Sequence, residues 1–409
     1  MRLFVPAYEW YGWEDVELEF PESWDVREIR MEGHNAKSLN GGDLAKRLRR
    51  PVGTPPLSEL ARGKKRCAIV FDGMTRPTKV FQMLPAVLSE LWEGGIEDDH
   101  IVFMMASGAQ SGPMLFDFQK KLGAEILKKY LVFNHNPYDN LVELGETSNG
   151  SPIHINKEVM GCDLKVTIGA LLPHLGYGFS GGSEMILPGI AGIESIIHNH
   201  RIREGTGSGS VEENMRRLDS EETARMVGVD FVVNAILNAR CDVSDLVCGD
   251  VVNAHREAVK RARKHYVTQL WHGADVAIGN GYPMANEGYT AYRIAEESVR
   301  DKGDLVFLLY TPEGCRVNYY NGRFGTEYGG RGWRPDIYIK QPWKMNRVLV
   351  VAPEIQKSDG CYYGNGSVWV NDWRIALEHL MDRNGRDAKI AVYPTAAMQI
   401  SERISKQRI

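Results

Sequence analysis

Cys67-Ala68-Ile69-Val70-Phe71-Asp72-Gly73-Met74-Thr75-Arg76-Pro77-Thr78 reads as a buried strand running straight into a polar loop. Its apolar run does not alternate, which marks a strand covered on both faces. Asp72-Gly73 ends it, and a helical pattern follows over about 79–93. The theme then repeats. His100 to Met105 is a second apolar run, ending at Ser107-Gly108 and followed by a helical pattern over about 113–129. Leu164 to Ile168 is a third, ending at Gly169. Apolar strands separated by helices of this length predict a parallel sheet with crossover connections. Ligands of such sheets collect beyond the carboxyl ends of the strands. The loops 72–78, 106–112 and 169–184 all begin there, so they converge on one site.

Further along, helical stretches are predicted at about 219–238 and 250–266. The strand theme restarts with Val276 to Ile278, then Asp304 to Leu309, Arg347 to Val351 and Lys389 to Val392, with helices near 287–301 and 371–383. At the start of the chain, Val16 to Phe20 and Trp24 to Ile29 alternate apolar and polar as half-buried strands do. The expected fold class is α/β: two doubly wound domains, 1–268 and 269–409, with mainly parallel sheets and an active-site cleft between them.

With 409 residues the chain exceeds one typical core. A net charge of −4 argues against a general nucleic-acid surface, and the basic stretches at 47–50 and 256–264 read as solvated helix faces. No apolar run approaches the roughly 18 residues that span a bilayer. Six cysteines with no C-x-x-C pair fit reduced thiols and a cytoplasmic location.

The loop Pro173-His174-Leu175-Gly176-Tyr177-Gly178-Phe179-Ser180-Gly181-Gly182-Ser183-Glu184, with His198-Asn199-His200 after it, concentrates the chemistry. Its glycines suit a backbone cradle for an anion, and its histidines suit proton transfer or metal ligation. The bland alternative is a glycine-rich surface turn. His198 and His200 point about 200° apart on a helix, so at most one faces a common site. Arg76 is a fork for a carboxylate or phosphate, or else a surface residue beside a capped helix. Tyr289 and Arg293 share a helix face that can close over a ligand, or simply pack on each other.

These motifs together resemble the lactate racemase family, whose members use a nickel-pincer nucleotide. The similarity runs through Asp72, Thr75-Arg76-Pro77, Ser107-Gly108-Ala109-Gln110, His135-Asn136, Pro173-His174, Gly178 to Gly182, Pro188-Gly189, Asn199-His200, Gly249-Asp250, Ala254-His255, Gly281-Tyr282-Pro283, Tyr289 and Arg293. The resemblance implies that His200 ligates nickel and that His174 is a general base for the substrate hydroxyl. It also implies that Arg76 holds the substrate carboxylate, with Tyr289, Thr290 and Arg293 contributing from the second domain. Asp72, Thr75, Gly178, Ser180, Gly181 and Gly182 would hold the cofactor.

Two departures carry weight. Gln110 stands where the family has a second histidine base, and Glu184 where it has the lysine bonded to the cofactor. Glutamine cannot abstract a proton, and glutamate cannot form the amine-derived tether. His135 is the candidate replacement base, and Glu184 itself a candidate acid or base. The reading is a racemase or epimerase of a 2-hydroxy acid with an untethered nickel-pincer nucleotide. Its partners are a small hydroxy acid and the cofactor-maturation proteins; no nucleic acid and no membrane are involved, and the oligomeric state is open. The rivals are a nickel-independent enzyme using His174 and Glu184, and a non-catalytic binding protein for a nucleotide or hydroxy acid.

Overall fold

The computed structural model describes residues 1–12, 14–316, 345–355 and 367–406, with the backbone alone of Tyr289. The chain divides into two compact units. One is formed by residues 35–265, and the other by 1–34 together with the described residues from 266 to 405.

The first unit is built on a six-stranded sheet. Its order is Val243–Gly249, Phe231–Leu237, Leu164–Ala170, Cys67–Asp72, Ile101–Ala106, Leu131–Asn134. All pairs are parallel except the outermost, where Phe231–Leu237 meets Val243–Gly249 antiparallel. Cys67–Asp72 is central and wholly buried, as its unbroken apolar run requires. The chain proceeds from it to one side through Ile101–Ala106 and to the other through Leu164–Ala170. The order therefore reverses between Cys67–Asp72 and Leu164–Ala170, and a crevice opens at that switch point. Register aligns Asp72 with Ala106, so the loops leave one edge together.

Two sequence expectations change here. The helix foreseen over 219–238 is a helix only over Met215–Val227; Gly228 ends it in the left-handed region (φ 74°), and Phe231–Leu237 is a buried strand. A fully buried strand has no two-residue alternation, so periodicity does not separate it from a buried helix. The helical pattern over 113–129 breaks at Gly123 (φ 81°) into Leu115–Leu122 and Ala124–Lys129.

The second unit holds a wholly parallel six-stranded sheet. Its order is Val368–Val370, Arg347–Val351, Val299–Leu308, Ala274–Asn280, Lys389–Tyr393, Asp25–Glu28. Asp25–Glu28 completes the edge beside Lys389–Tyr393. Residues 1–34 thus belong with the later part of the chain, and not with residues 35–268 as the sequence division had them. The other early run forms an antiparallel hairpin, Arg2–Ala7 with Glu14–Glu19. Five cysteines are free thiols, four of them buried; Cys361 lies outside the described residues. No helix among the described residues is long and apolar enough to cross a membrane.

The switch point is fastened by Asp72. Its carboxylate accepts from the Lys121 ammonium (2.8 Å), the Ala170 backbone N–H (2.9 Å) and the Thr78 hydroxyl. Lys121 also donates to the Arg76 carbonyl at 2.6 Å, so one buried ion pair joins two loops to a helix. Removing one partner of such a pair strands a charge. We expect Lys121→Met to destabilise the protein by about 3 kcal/mol, read as a lower urea midpoint. An unchanged midpoint would show that Asp72 does not depend on its partner.

Candidate active site

Arg76 lies just past the end of the central strand and is buried. Its Nη2 donates to Glu184 Oε1 at 3.1 Å, and its Nη1 donates to the Thr75 carbonyl (3.1 Å) and hydroxyl (3.2 Å). The side chains of Arg76 and Glu184 are each 9% exposed, so little water screens the pair. Gln110, from the loop after Ile101–Ala106, donates to the same Thr75 hydroxyl at 3.1 Å. Thr75, Arg76, Gln110 and Glu184 are therefore one cluster drawn from three loops.

The glycine-rich loop folds back on itself, pairing Pro173–His174 with Gly178–Phe179. The backbone N–H groups of Gly176 and Tyr177 both donate to His174 Nδ1, at 3.0 and 3.1 Å. A ring nitrogen that accepts carries no proton, so neutral His174 has its proton on Nε2. That nitrogen lies 3.8 Å from Glu184 Oε1. The side expected to act as a general base is thus a donor.

Arg217, fully buried, laces the loop. It donates to the carbonyls of Tyr177 (3.3 Å), Phe179 and Gly181 (3.1 Å) and to the Ser183 hydroxyl (3.1 Å). Close packing explains the glycines. Gly178 has φ +75°, and a Cβ there would stand 1.8 Å from the Ser210 carbonyl oxygen. Ser180 Oγ donates to the Ala170 carbonyl and accepts from Leu172 N, while the Gly182 N–H donates to Asn234 Oδ1 at 3.0 Å. His255, held neutral by burial, donates through Nε2 to the Ser180 carbonyl. The loop expected as an open anion cradle is a packed scaffold. The Asp72 carboxylate, the Ser180 hydroxyl, the Gly181 carbonyl and the Gly182 N–H make polar contacts within the protein.

His200 sits near the end of the helix Ile193–Arg201. Burial, aided by the nearby Arg216 guanidinium, pushes it down to about 3, so its imidazole is neutral. Its Nδ1–H donates to the Ile196 carbonyl at 2.9 Å, which makes Nε2 the unprotonated nitrogen. His198 instead bonds through Nδ1 to Ser151 Oγ at 2.9 Å, as their opposed helix positions require. The Tyr177 ring links the two functional histidines, its centroid 5.4 Å from that of His174 and 6.1 Å from that of His200. His135, the candidate replacement base, has both ring nitrogens in hydrogen bonds. It is buried, its Nε2 bonds the Ala191 carbonyl at 2.9 Å, and Asn156 reaches its Nδ1. Burial lowers it to about 4.

Thr290 and Arg293 belong to the other unit. Thr290 is buried in the turn Tyr289–Ala291, and Arg293 lies on the helix Tyr292–Ser298. The side chain of Tyr289 lies outside the described residues. Sequence reasoning missed Lys121, Tyr177, Arg216 and Arg217. Their only signal is a charged or polar residue inside an otherwise amphipathic segment, which reads as a solvated face.

The lactate racemase N-terminal domain family matches residues 11–209. The lactate racemase of Thermoanaerobacterium thermosaccharolyticum is 26% identical over 317 residues, 74% of each chain. That of Lactiplantibacillus plantarum is 26% identical over 275 residues, 65% of each. By these likenesses the chain is a divergent relative of the lactate racemases, matched to the family's N-terminal domain over residues 11–209. With that it is an isomerase, which removes the non-catalytic reading. The fold agrees: the lactate racemase apoprotein from T. thermosaccharolyticum superposes with a TM-score of 0.74 at 20% identity, covering 98% of this chain and 100% of that one. A Thermotoga maritima protein gives 0.65 at 16% identity, covering 90% and 100%.

Arg217→Met deletes the guanidinium's hydrogen bonds to the loop while keeping much of its bulk. We expect amides of residues 176–184 to exchange with solvent about 10- to 100-fold faster, with the sheet amides unchanged. Unchanged loop protection would show that the glycine contacts alone hold it.

Proposed function

We propose that this protein interconverts the enantiomers or epimers of a 2-hydroxy acid, lactate or a larger relative, with an untethered nickel-pincer nucleotide. The observation that carries this reading is the cluster Arg76–Glu184–His174 with His200 across the Tyr177 ring.

The residues fit that cofactor in one respect and refuse it in another. A pincer supplies most of the metal's ligands itself, so one protein donor suffices. No group of three or more metal-ligating side chains is found among the described residues, and none is needed. His200 has the required form: neutral, with Nε2 unprotonated because Nδ1–H is held by Ile196. Glu184, ion-paired to Arg76, offers no amine for a tether. His200 would hold the cofactor, which would supply a hydride-accepting centre.

The chain's own residues do the rest. Arg76 offers its guanidinium to the substrate carboxylate, in competition with Glu184. The hydroxyl then falls toward His174 and Glu184. Gln110 orients Thr75 and transfers no proton. Thr290 and Arg293, in the other unit, are substrate-binding candidates from the family resemblance alone. The 3.8 Å approach of His174 to Glu184 also supports the nickel-independent acid–base reading, which metal analysis separates.

Protein co-expressed with cofactor-maturation enzymes should retain nickel and convert L-lactate toward the racemate on chiral chromatography. His200→Ala should lose the metal, whereas Arg76→Met should keep it and weaken substrate binding by about 2 kcal/mol. Full turnover without nickel would refute the proposal. Intact mass should show no covalent adduct on the wild-type chain, and Glu184→Lys should acquire one.

A further inference from the structure

We infer that His174 works as a fixed hydrogen-bond donor to the substrate oxygen and that Glu184 is the proton acceptor. The inference rests on the proposed site, but its foundation is backbone geometry. Two N–H groups, of Gly176 and Tyr177, converge on His174 Nδ1. Placing a proton on Nδ1 would turn both contacts repulsive, and the loop cannot yield because Arg217 holds the Tyr177, Phe179 and Gly181 carbonyls. The tautomer is therefore set by the loop: Nε2 bears the hydrogen and has no lone pair to receive another.

The group that can receive one is Glu184. Its Oε1 stands 3.8 Å from His174 Nε2, beyond hydrogen-bond reach. A hydroxyl oxygen between them accepts from Nε2–H and donates to Oε1. The O–H bond breaks, its proton makes Glu184 a carboxylic acid, and the electron pair left on the substrate oxygen is stabilised by the His174 donor. Return of the same proton restores both groups. Before substrate binds, Arg76 positions Glu184, aiming Oε1 at the His174 side through its 3.1 Å contact. A lysine at 184 cannot take this part while charged, so the departure at that position moves the proton acceptor from imidazole to carboxylate.

The test begins with the full-length protein and no turnover. With histidines labelled in the ring nitrogens, long-range nitrogen–proton correlation shows the tautomer of each. The signal lost in His174→Gln should have the Nε2–H pattern. An Nδ1–H pattern overturns the inference whether or not the enzyme is active. In the matured enzyme, His174→Gln, which still offers an N–H, should lie within about tenfold of wild type in kcat, while His174→Ala loses more. Glu184→Gln should lose about a hundredfold or more in kcat, with KM moved far less. His174→Gln as inactive as His174→Ala, or Glu184→Gln retaining wild-type kcat, would also overturn it. A wild-type enzyme that racemises no hydroxy acid contradicts the proposed function instead, and the tautomer is read independently.

Discussion

A single guanidinium buried inside a loop sets the geometry of the candidate site. Arg217 has no exposed surface, and its N–H groups are spent on carbonyls and a hydroxyl of residues 177–183. Burial lowers the pKa of its guanidinium, and the fields of Glu221 and Glu184 counter this only in part. Its neighbour Arg216 donates to the carbonyls of His200 (2.7 Å) and Ile202 (2.9 Å), fixing the end of the helix that presents the imidazole. Both rings face Tyr177, whose hydroxyl is held by Asn199. Two consecutive arginines thus determine where His174 and His200 stand and which nitrogen of His174 faces the reaction.

The fold was legible where the chain writes it locally. Cys67–Asp72, Ile101–Ala106 and Leu164–Ala170 are continuous apolar runs ended by polar, glycine-containing loops, and the switch point followed from them. Asp25–Glu28 and Lys389–Tyr393 were each visible as strands, but their pairing was not, because parallel pairing between chain ends leaves no local mark. Phe231–Leu237 failed for the opposite reason: seven buried residues show no period at all. The site followed the same division. Arg76, Glu184, His174 and His200 were legible as residue types in loops. The backbone N–H groups of Gly176 and Tyr177 turn His174 into a donor, and the guanidinium that laces their loop, Arg217, lies far along the chain and is silent in the sequence.

The family resemblance and the local physics part at position 184. A lysine there would repel Arg76; a glutamate binds it and fills the space beside His174 with a carboxylate. The glycines leave room for close neighbours: a Cβ at Gly178, Gly181 or Gly182 would crowd Ser210, Asn234 or His255. Under the proposed function, this one position would bear on both cofactor attachment and proton transfer.

The central claim is that the hydrogen on the substrate carbon never meets solvent, and that only the hydroxyl proton passes through the His174–Glu184 pair. The most direct measurement is racemisation of protiated L-lactate by the nickel-loaded enzyme in D2O, with the Cα position of both enantiomers read by mass spectrometry. The account predicts that the D-lactate formed retains protium at Cα. Deuterium at that carbon would mean proton abstraction from carbon, and would contradict the account.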